Sequence, residues 1–498
     1  MGPDGVLWPD EAIEAMSHAA REILARVGVK VDSSDAVCAL EAAGCAPGQA
    51  GRVLVPAALV ERALATVPPA FTLLARDPAA ALPVSPAPTA TFVHNSGEDP
   101  HVADPVSGVN RPATMTDQRL AARVMHRLRY PQCINSLFWP SDVPPDLQPL
   151  YSYLALALET DKHLGSPCVD FGWQVAPLVA MAEAVVAAGR ARDATRAPAV
   201  ALDISFSPVS PLHLPGEVCD GLMAAAAHGA AVMVLPCPMG GTTAPASLAG
   251  GLAQQHAEVL AGIVLVQALR PGTPCVAGVR LGPAHPRTGG YLGGAPEGAL
   301  VSLGATQLAR RDGLSCDCYG PTTGSPVLEL QAGLEEALTL TLSALALPRF
   351  LSGCGTMQGT ATCLEALVVH DQLFAALFNG LTARAWDDEA LAVDVVADAV
   401  LAGKGFLGSS HTRRYLRHDV EQPRLGFRGG IDEWLASGRT SLVDEARERV
   451  AELVAAEPLG LPGDVAAELC GVIDDAARAR GLSSWPDPWR LLVEPTCV

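Results

Sequence analysis

From Cys275 to Tyr319 the chain reads CVAGVRLGPAHPRTGGYLGGAPEGALVSLGATQLARRDGLSCDCY. A short apolar run, CVAGV, leads into a glycine-rich loop, then into the helical stretch Glu297–Arg311, then into a second short run from Leu314. Strand, loop, helix, strand is the repeating unit of a parallel sheet. The alternation extends in both directions. Strand candidates begin near Thr91, Ile134, Cys168, Val200, Val232, Cys275, Leu314 and Phe350. Helical stretches follow them at Thr116–Arg129, Leu147–Glu159, Val175–Gly189, Glu217–His228, Ser247–Arg270, Glu297–Arg311, Glu329–Leu345 and Cys363–Ala385. Eight such units predict a (β/α)8 TIM barrel. An open doubly wound sheet would carry a glycine-rich phosphate loop after its first strand. Here that loop reads HNSGEDPH from His94 and holds one glycine.

Working outward, residues 1–90 read as an α+β cap, 91–385 as the barrel and 386–498 as a mostly helical extension. Ile13, Met16, Ala20, Ile23, Leu24 and Val27 form one helical face, and Gly28 is placed to end it. A second helix spans Ser34–Ala43 and a third starts at Pro56. Val53–Val55 and Phe71–Leu74 read as short strands, and Asp77–Thr91 as a proline-rich connector. After Trp386 come the acidic DDEALAVDVVADAV, the glycine-rich GKGFLGSSHTRR and further helix to about Arg480. This extension is expected to pack on the barrel and to be available for a dimer contact, so a homo-oligomer is possible.

The 498 residues are 49% hydrophobic and 17% charged, with a net charge of −19. No basic stripe exists for a nucleic acid to follow. The mean hydropathy of +0.25 raises the question of a membrane span. The most apolar stretch, Ala257–Leu269, is interrupted by Glu258 and is short of the roughly 20 residues a bilayer requires. No membrane role is expected. The N-terminal MGPDGVLWPDEA has no basic region leading into an apolar core, and the 13 cysteines are scattered. Both features suggest reduced thiols in the cytoplasm.

In a TIM barrel the strand C-terminal ends and the loops after them carry function. Those positions hold His94 and Asn95, Trp139, Asp170 and Phe171, Ser205 and Ser207, Pro236–Gly241, Arg280, Tyr319 and Ser352–Gly355. No GxGxxG, P-loop, HExxH or GxSxG occurs in a suitable context. Cys316 and Cys318 share one face of a strand, and with Cys354 or His94 could ligate zinc, although two core thiols are the commoner outcome. Asp170 and Asp203 lie near strand ends as a candidate carboxylate pair or as partners of arginines. His94, His213 and His411 are loop histidines without an identifiable partner.

Several pieces occur in an order and spacing that resemble the trimethylamine methyltransferase family, including its non-pyrrolysine, glycine betaine:corrinoid methyltransferase-like members. They are RPATMTD at Arg111, PSDVPP at Pro140, ETDKHLG at Glu159, SPVSPL at Ser207 and PCPMGGTTAPASLAGG at Pro236. HAEVLAG at His256, RPGTPCVAG at Arg270, APEGALVSLGATQLARRDGL at Ala295 and LQAGLEEAL at Leu330 complete the set. The likeness runs from VGVKVDS at Val27 to LGSSHTRRYLR at Leu407. It implies a methyltransferase that moves a methyl group from a quaternary or tertiary amine to the Co(I) of a corrinoid carried by a partner protein.

A quaternary ammonium is already a leaving group, so displacement requires desolvation and orientation without a proton transfer. On this reading Tyr319, Asp170 and Ser352 act at the reacting centre. Trp139, His94, Asn95 and Phe171 bind the amine, while Met239, Gly240, Gly241 and Gly353 give the corrinoid room. No metal is bound by the chain itself, and no pyrrolysine is present. The chain departs from the family pattern at three places: Ser352 where a histidine is usual, Pro326 where a lysine is usual, and Gln358 at a usually acidic position. Two other readings remain at this stage. One is a zinc-assisted corrinoid methyltransferase using Cys316, Cys318 and a third ligand, and the other is a non-catalytic barrel that binds a cationic osmolyte.

Overall fold

The computed structural model describes residues 8–87, 90–165, 167–189, 198–358 and 361–493. Its central sheet has eight strands: β1 (Phe92–Asn95), β2 (Cys133–Ile134), β3 (His163–Leu164), β4 (Asp203–Phe206), β5 (Ala231–Val234), β6 (Cys275–Val279), β7 (Ser315–Tyr319) and β8 (Phe350–Cys354). All the pairings are parallel, and β8 pairs back onto β1. Each strand leads to a helix: α1 (Met115–Arg127), α2 (Gln148–Glu159), α3 (Val175–Ala188), α4 (Gly216–His228), α5 (Leu248–Leu269), α6 (Pro296–Arg311), α7 (Leu330–Ala344) and α8 (Leu364–Leu381). This is the (β/α)8 barrel expected from the sequence.

Two strands lie elsewhere than expected. The third is His163–Leu164, in register with Cys133 and Ile134, and Cys168 lies beyond its end. The fourth is Asp203–Phe206, whereas Val200 belongs to a two-residue strand paired with Thr72 and Leu73. The apolar runs CV and AV mark a rim loop and a lid on the base, while the polar stretch ETDKHLG carries β3. The connector from Asp77 is likewise partly strand. Leu82–Val84 pairs antiparallel with Phe71–Leu73, and this hairpin closes the barrel's base. Phe71, Leu73, Leu82 and Val84 pack against the interior side chains Cys133, Ala231, Met233, Val276 and Phe350.

The eight-stranded circle has one gap, because β3 and β4 share no ladder. Side chains bridge it. His163 Nε2 lies 2.8 Å from Asp203 Oδ1, and His163 Nδ1 lies 2.5 Å from the Leu74 carbonyl of the basal lid. A methyl group on Gly165 would sit 2.3 Å from Asp203 Oδ1, so the approach of the two strands requires glycine there.

Outer layers explain the high hydropathy. Every residue of α2 is buried, because α14 (Gly463–Ala479) covers it. The helix α5 is the one described helix long and apolar enough to cross a bilayer, but 89% of its most apolar window is inside the protein. The N-terminal helix Asp10–Arg26 packs on it. In the C-terminal extension, α13 (Leu442–Val454) packs on α8 and α1, and α14 on α2 and α3. Between α8 and α13 lie α9 (Asp388–Leu391), α10 (Val393–Leu401), α11 (Ser410–His418) and α12 (Ile431–Ala436). None of these four has a buried residue, contrary to the expectation that the whole extension packs on the barrel.

The bridge across the gap is testable. His163→Ala leaves Asp203 buried without its partner and is expected to cost about 3–5 kcal/mol in urea denaturation. A loss below about 1 kcal/mol would show that the barrel closes without this pair.

Candidate active site

The upper half of the barrel interior is polar. Asp317, mid-strand on β7, is fully buried. Arg280 Nη2 donates to its Oδ2 at 2.8 Å, and His94 Nε2 meets its Oδ1 at 3.0 Å. His94 Nδ1 lies 3.0 Å from both the Asn135 side-chain nitrogen and the Asn95 carbonyl, so the ring is held on both sides. The Arg280 guanidinium lies over the Tyr319 ring, 4.4 Å from its centre. Burial opposes charge on both members of the ion pair. Their mutual attraction outweighs it, so Arg280 is held above its usual pKa, and Arg280 with His94 holds Asp317 below its own. The floor of the site is therefore rigid and close to neutral.

The rim is acidic. Beyond β1 the backbone continues beside the segment after β2: Glu98 N donates to Ser136 O, Asp99 N to Leu137 O and Trp139 N to Asp99 O. This pairing holds Glu98, Asp99 and the half-buried Trp139 at the mouth. Glu98 takes a left-handed backbone conformation (φ 63°), uncommon for a residue with a side chain. Its Oε1 accepts from Cys168 N at 3.0 Å, while its buried Oε2 has no hydrogen-bond partner among the described residues. Burial pushes the Glu98 carboxyl up to about 7, with the nearby Asp170 charge adding to the effect, and burial alone pushes Asp99 up to about 7. Burial also raises Asp170, followed by the charge of Asp146. Asp99 is close enough for its charge to act on the Tyr319 hydroxyl, whose pKa burial raises.

The residues singled out in the sequence divide into three groups. His94, Tyr319 and Ser352 converge on the floor, where Ser352 pairs in register with Tyr319 and its hydroxyl is 3.3 Å from the Cys318 carbonyl. Trp139, Asp170 and Phe171 lie on the rim, and Gln174 Oε1 accepts from the backbone N–H groups of the last two. Asn95 and Gly353 serve the framework. The fully buried Asn95 side chain ties β1 to Asn135, and a methyl on Gly353 would sit 2.8 Å from the Pro321 carbonyl. Met239 and Gly240 pair with Gly282 and Pro283 in a flap beside the mouth.

Asp203 is bound to His163 at the base, far from Asp170 at the rim, so the two form no carboxylate pair. His213 bonds to Asp32 of the N-terminal region, and His411 stacks on Tyr415. Cys316 and Cys318 face the helical wall, where Thr306 Oγ1 approaches Cys318 Sγ to 4.0 Å. They do not share a site with His94. Among the described residues the one trio of possible metal ligands is Cys133, His163 and Asp203, at the base. Sequence reasoning passed over Glu98, Asp99 and Asp317. The last was legible, because alternation along SCDCY puts Asp317 and Tyr319 on the face opposite the two thiols.

With this geometry in hand, the model of the trimethylamine methyltransferase family (MTTB) matches residues 3–479. The chain belongs to this family. It is therefore a methyltransferase by family. It is 28% identical over 429 residues to the glycine betaine methyltransferase of Desulfitobacterium hafniense (strain Y51), covering 85% of this chain and 87% of that one. It is 26% identical over 479 residues to the trimethylamine methyltransferase MttB of Desulfitobacterium hafniense (strain DSM 10664 / DCB-2), covering 96% and 95%. The monomethylamine methyltransferase MtmB of Methanosarcina barkeri shares the fold at a TM-score of 0.51 and 11% identity, over 89% of this chain and 88% of that one. In this MTTB-family chain the rim carboxylates are the distinctive electrostatic feature.

Those carboxylates give a signature in stability. With Asp99 near 7 when folded and near its ordinary value when unfolded, the native state binds more protons than the unfolded one between those values. Stability therefore falls as pH rises through that window. Asp99→Asn removes the loss, so its gain in Tm over the unsubstituted protein is expected to grow from pH 5.5 to pH 8. An equal shift at both pH values would show that ionisation of Asp99 is not the cause.

Proposed function

We propose that the chain transfers a methyl group from a quaternary or tertiary amine to a cobalt(I) corrinoid carried by a separate protein. The observation that carries this reading is the pair of half-buried rim carboxylates, Glu98 and Asp99, near Trp139 and Tyr319. Two carboxylates held near 7 by burial gain most from a partner with permanent positive charge, because such a partner restores the electrostatic stabilisation that water would have given. Trp139 and Tyr319 offer aromatic faces to the same cation. Neither the floor nor the rim has to deliver a proton in the transfer. The C–N bonding pair leaves with nitrogen, and the neutral floor keeps the amine from being drawn past the rim.

The corrinoid supplies the two-electron nucleophile when its carrier is docked. The residues present fit a broad flat group at the mouth. A methyl on Gly240 would make ordinary contact at 3.5 Å, and one on Gly241 or Gly289 at 3.9–4.0 Å, so the flap and the loop after β6 present a surface of small residues on this side. Those three glycines would receive the macrocycle, with Met239 at the edge. The described cysteines are all free, which supports a reducing, cytoplasmic setting.

The deciding assay mixes the purified chain with a reduced corrinoid protein and a panel of betaines, carnitine and methylamines, and follows cobalt absorbance. Methylation with one compound is the expected result. Binding without any change at cobalt, with the cognate carrier present, would favour the non-catalytic osmolyte-binding barrel. Glu98→Gln is expected to weaken amine binding about tenfold, equivalent to about 1.4 kcal/mol. Binding to the unsubstituted protein should tighten from pH 6 to pH 8 as the rim ionises, and calorimetric titration of a quaternary amine checks both. Gly240→Val should suppress methyl transfer while amine affinity stays within about twofold, that is about 0.4 kcal/mol. Equal loss of both would place the flap elsewhere.

A further inference from the structure

Three consecutive strands, β2, β3 and β4, each bring one metal-ligating side chain to the base of the barrel: Cys133, His163 and Asp203. Their donor atoms all lie within 4.8 Å of one another. The three residues are 4%, 0% and 6% exposed, so the cluster is closed to solvent. His163 stands opposite Cys133 in the ladder of β2 and β3, whereas β3 and β4 share no ladder. The trio therefore sits on the seam where the backbone pairing of the barrel fails.

Two features of the seam suit an ion better than a hydrogen-bonded pair alone. The Leu74 carbonyl can only accept, so His163 Nδ1 carries the hydrogen of that 2.5 Å bond. The ring is thereby fixed with Nε2 aimed at Asp203 Oδ1, 2.8 Å away. Histidine ligands of metals are oriented in this way, with one ring nitrogen on a backbone carbonyl and the other left for the ion. Gly165 is the second feature. A methyl there would sit 2.3 Å from Asp203 Oδ1 and 3.0 Å from Cys133 Sγ, so the chain keeps two of the donors clear of any side chain. Asn135 Oδ1, 3.7 Å from Cys133 Sγ, is a further oxygen at the edge of the cluster.

We propose that Cys133, His163 and Asp203 bind one divalent ion of the zinc class, which ties β4 to β2 and β3. A sulfur, a nitrogen and an oxygen donor together suit a borderline-soft ion and not calcium or magnesium, which take oxygen ligands. Donors about 2.0–2.3 Å from zinc stand roughly 3.3–3.8 Å apart in a tetrahedral site, so the His163–Asp203 contact has to open by only about 0.5 Å. Charge also balances. Without the ion the thiol is neutral and one proton is shared between His163 and Asp203. The ion replaces both protons, which leave to solvent, and the net charge of the buried site is unchanged. The lid residues Phe71, Leu73, Leu82 and Val84 pack against the same interior cluster as Cys133 and close it off. An ion held there is structural, as the base of such a barrel serves stability and its mouth serves chemistry. Its influence reaches the floor through Asn135, whose side-chain nitrogen lies 3.0 Å from His94 Nδ1.

The test is the metal content of the full-length chain produced in zinc-supplemented medium and washed with EDTA, which clears exposed thiols. About one zinc per chain is expected to remain. Cys133→Ser should lower that content at least about tenfold, while Cys38→Ser, at an exposed thiol, leaves it unchanged. Production with cobalt(II) reads the same site without any variant. Thiolate charge-transfer absorption in the near ultraviolet and tetrahedral bands in the visible are expected. A chain that retains neither metal overturns the proposal. So does zinc that Cys133→Ser keeps in full, because the ion is then held elsewhere. Where Cys133→Ser does not fold, the absence of thiolate absorption in the cobalt(II) protein overturns it equally.

Discussion

Asp317 is a carboxylate with no access to water, in the middle of a barrel whose base is closed by a hydrophobic lid. Burying such a charge is tolerable only if it is paired and hydrogen-bonded on both oxygens. That requirement fixes much of the upper interior. Arg280 must come from β6 to one oxygen and His94 from β1 to the other, with Asn135 on the segment leaving β2 and the Asn95 carbonyl against the ring's second nitrogen. Once Arg280 is anchored, its flat face fixes the Tyr319 ring. Side chains from strands on both sides of the barrel are thus held relative to one another before any ligand arrives, which is the preorganisation that a positioning site requires.

The same logic, a polar pair where backbone pairing is missing, closes the barrel. Between β3 and β4 the ladder fails, and His163 with Asp203 takes its place. The pair leans on Leu74 of the lid and requires Gly165 to be free of a side chain. The N-terminal hairpin is therefore part of the barrel's construction: it fills the base with Phe71, Leu73, Leu82 and Val84, and it gives His163 a second hydrogen-bond partner. A two-residue strand is enough when side chains complete the joint.

How much of this the sequence disclosed depends on the length scale of each feature. Helices of 12 to 22 residues announced themselves through periodicity, and the structure moves their ends by only a few residues. Strands of two to five residues carry less signal. Apolar runs at Val200 and Cys168 drew the reading toward a lid strand and a rim loop, while β3 lay hidden in the polar ETDKHLG. In SCDCY the eye goes to the thiols, yet the face that matters is Asp317 and Tyr319. Glu98 and Asp99 were visible as residues of a loop, but their depth at the mouth arises from pairing with residues 136–139, a tertiary fact that no local pattern contains. The exposed arm from α9 to α12 was visible only as composition. That its four helices have no buried residue follows from where the barrel leaves them.

The rim poses a conflict that its architecture does not relieve on its own. Enclosing Glu98 and Asp99 makes them more selective for a cation, since water no longer competes, but the same enclosure lifts both to about 7, where protons do compete. Moving them into solvent would restore full charge and lose the selectivity. Placing an arginine beside them would lower their pKa, but it would fill the space with the protein's own cation. The chain instead keeps its arginine one level down, saturated by Asp317, so that the rim stays negative and unfilled. A ligand with fixed positive charge resolves the conflict by taking the place of both water and protons.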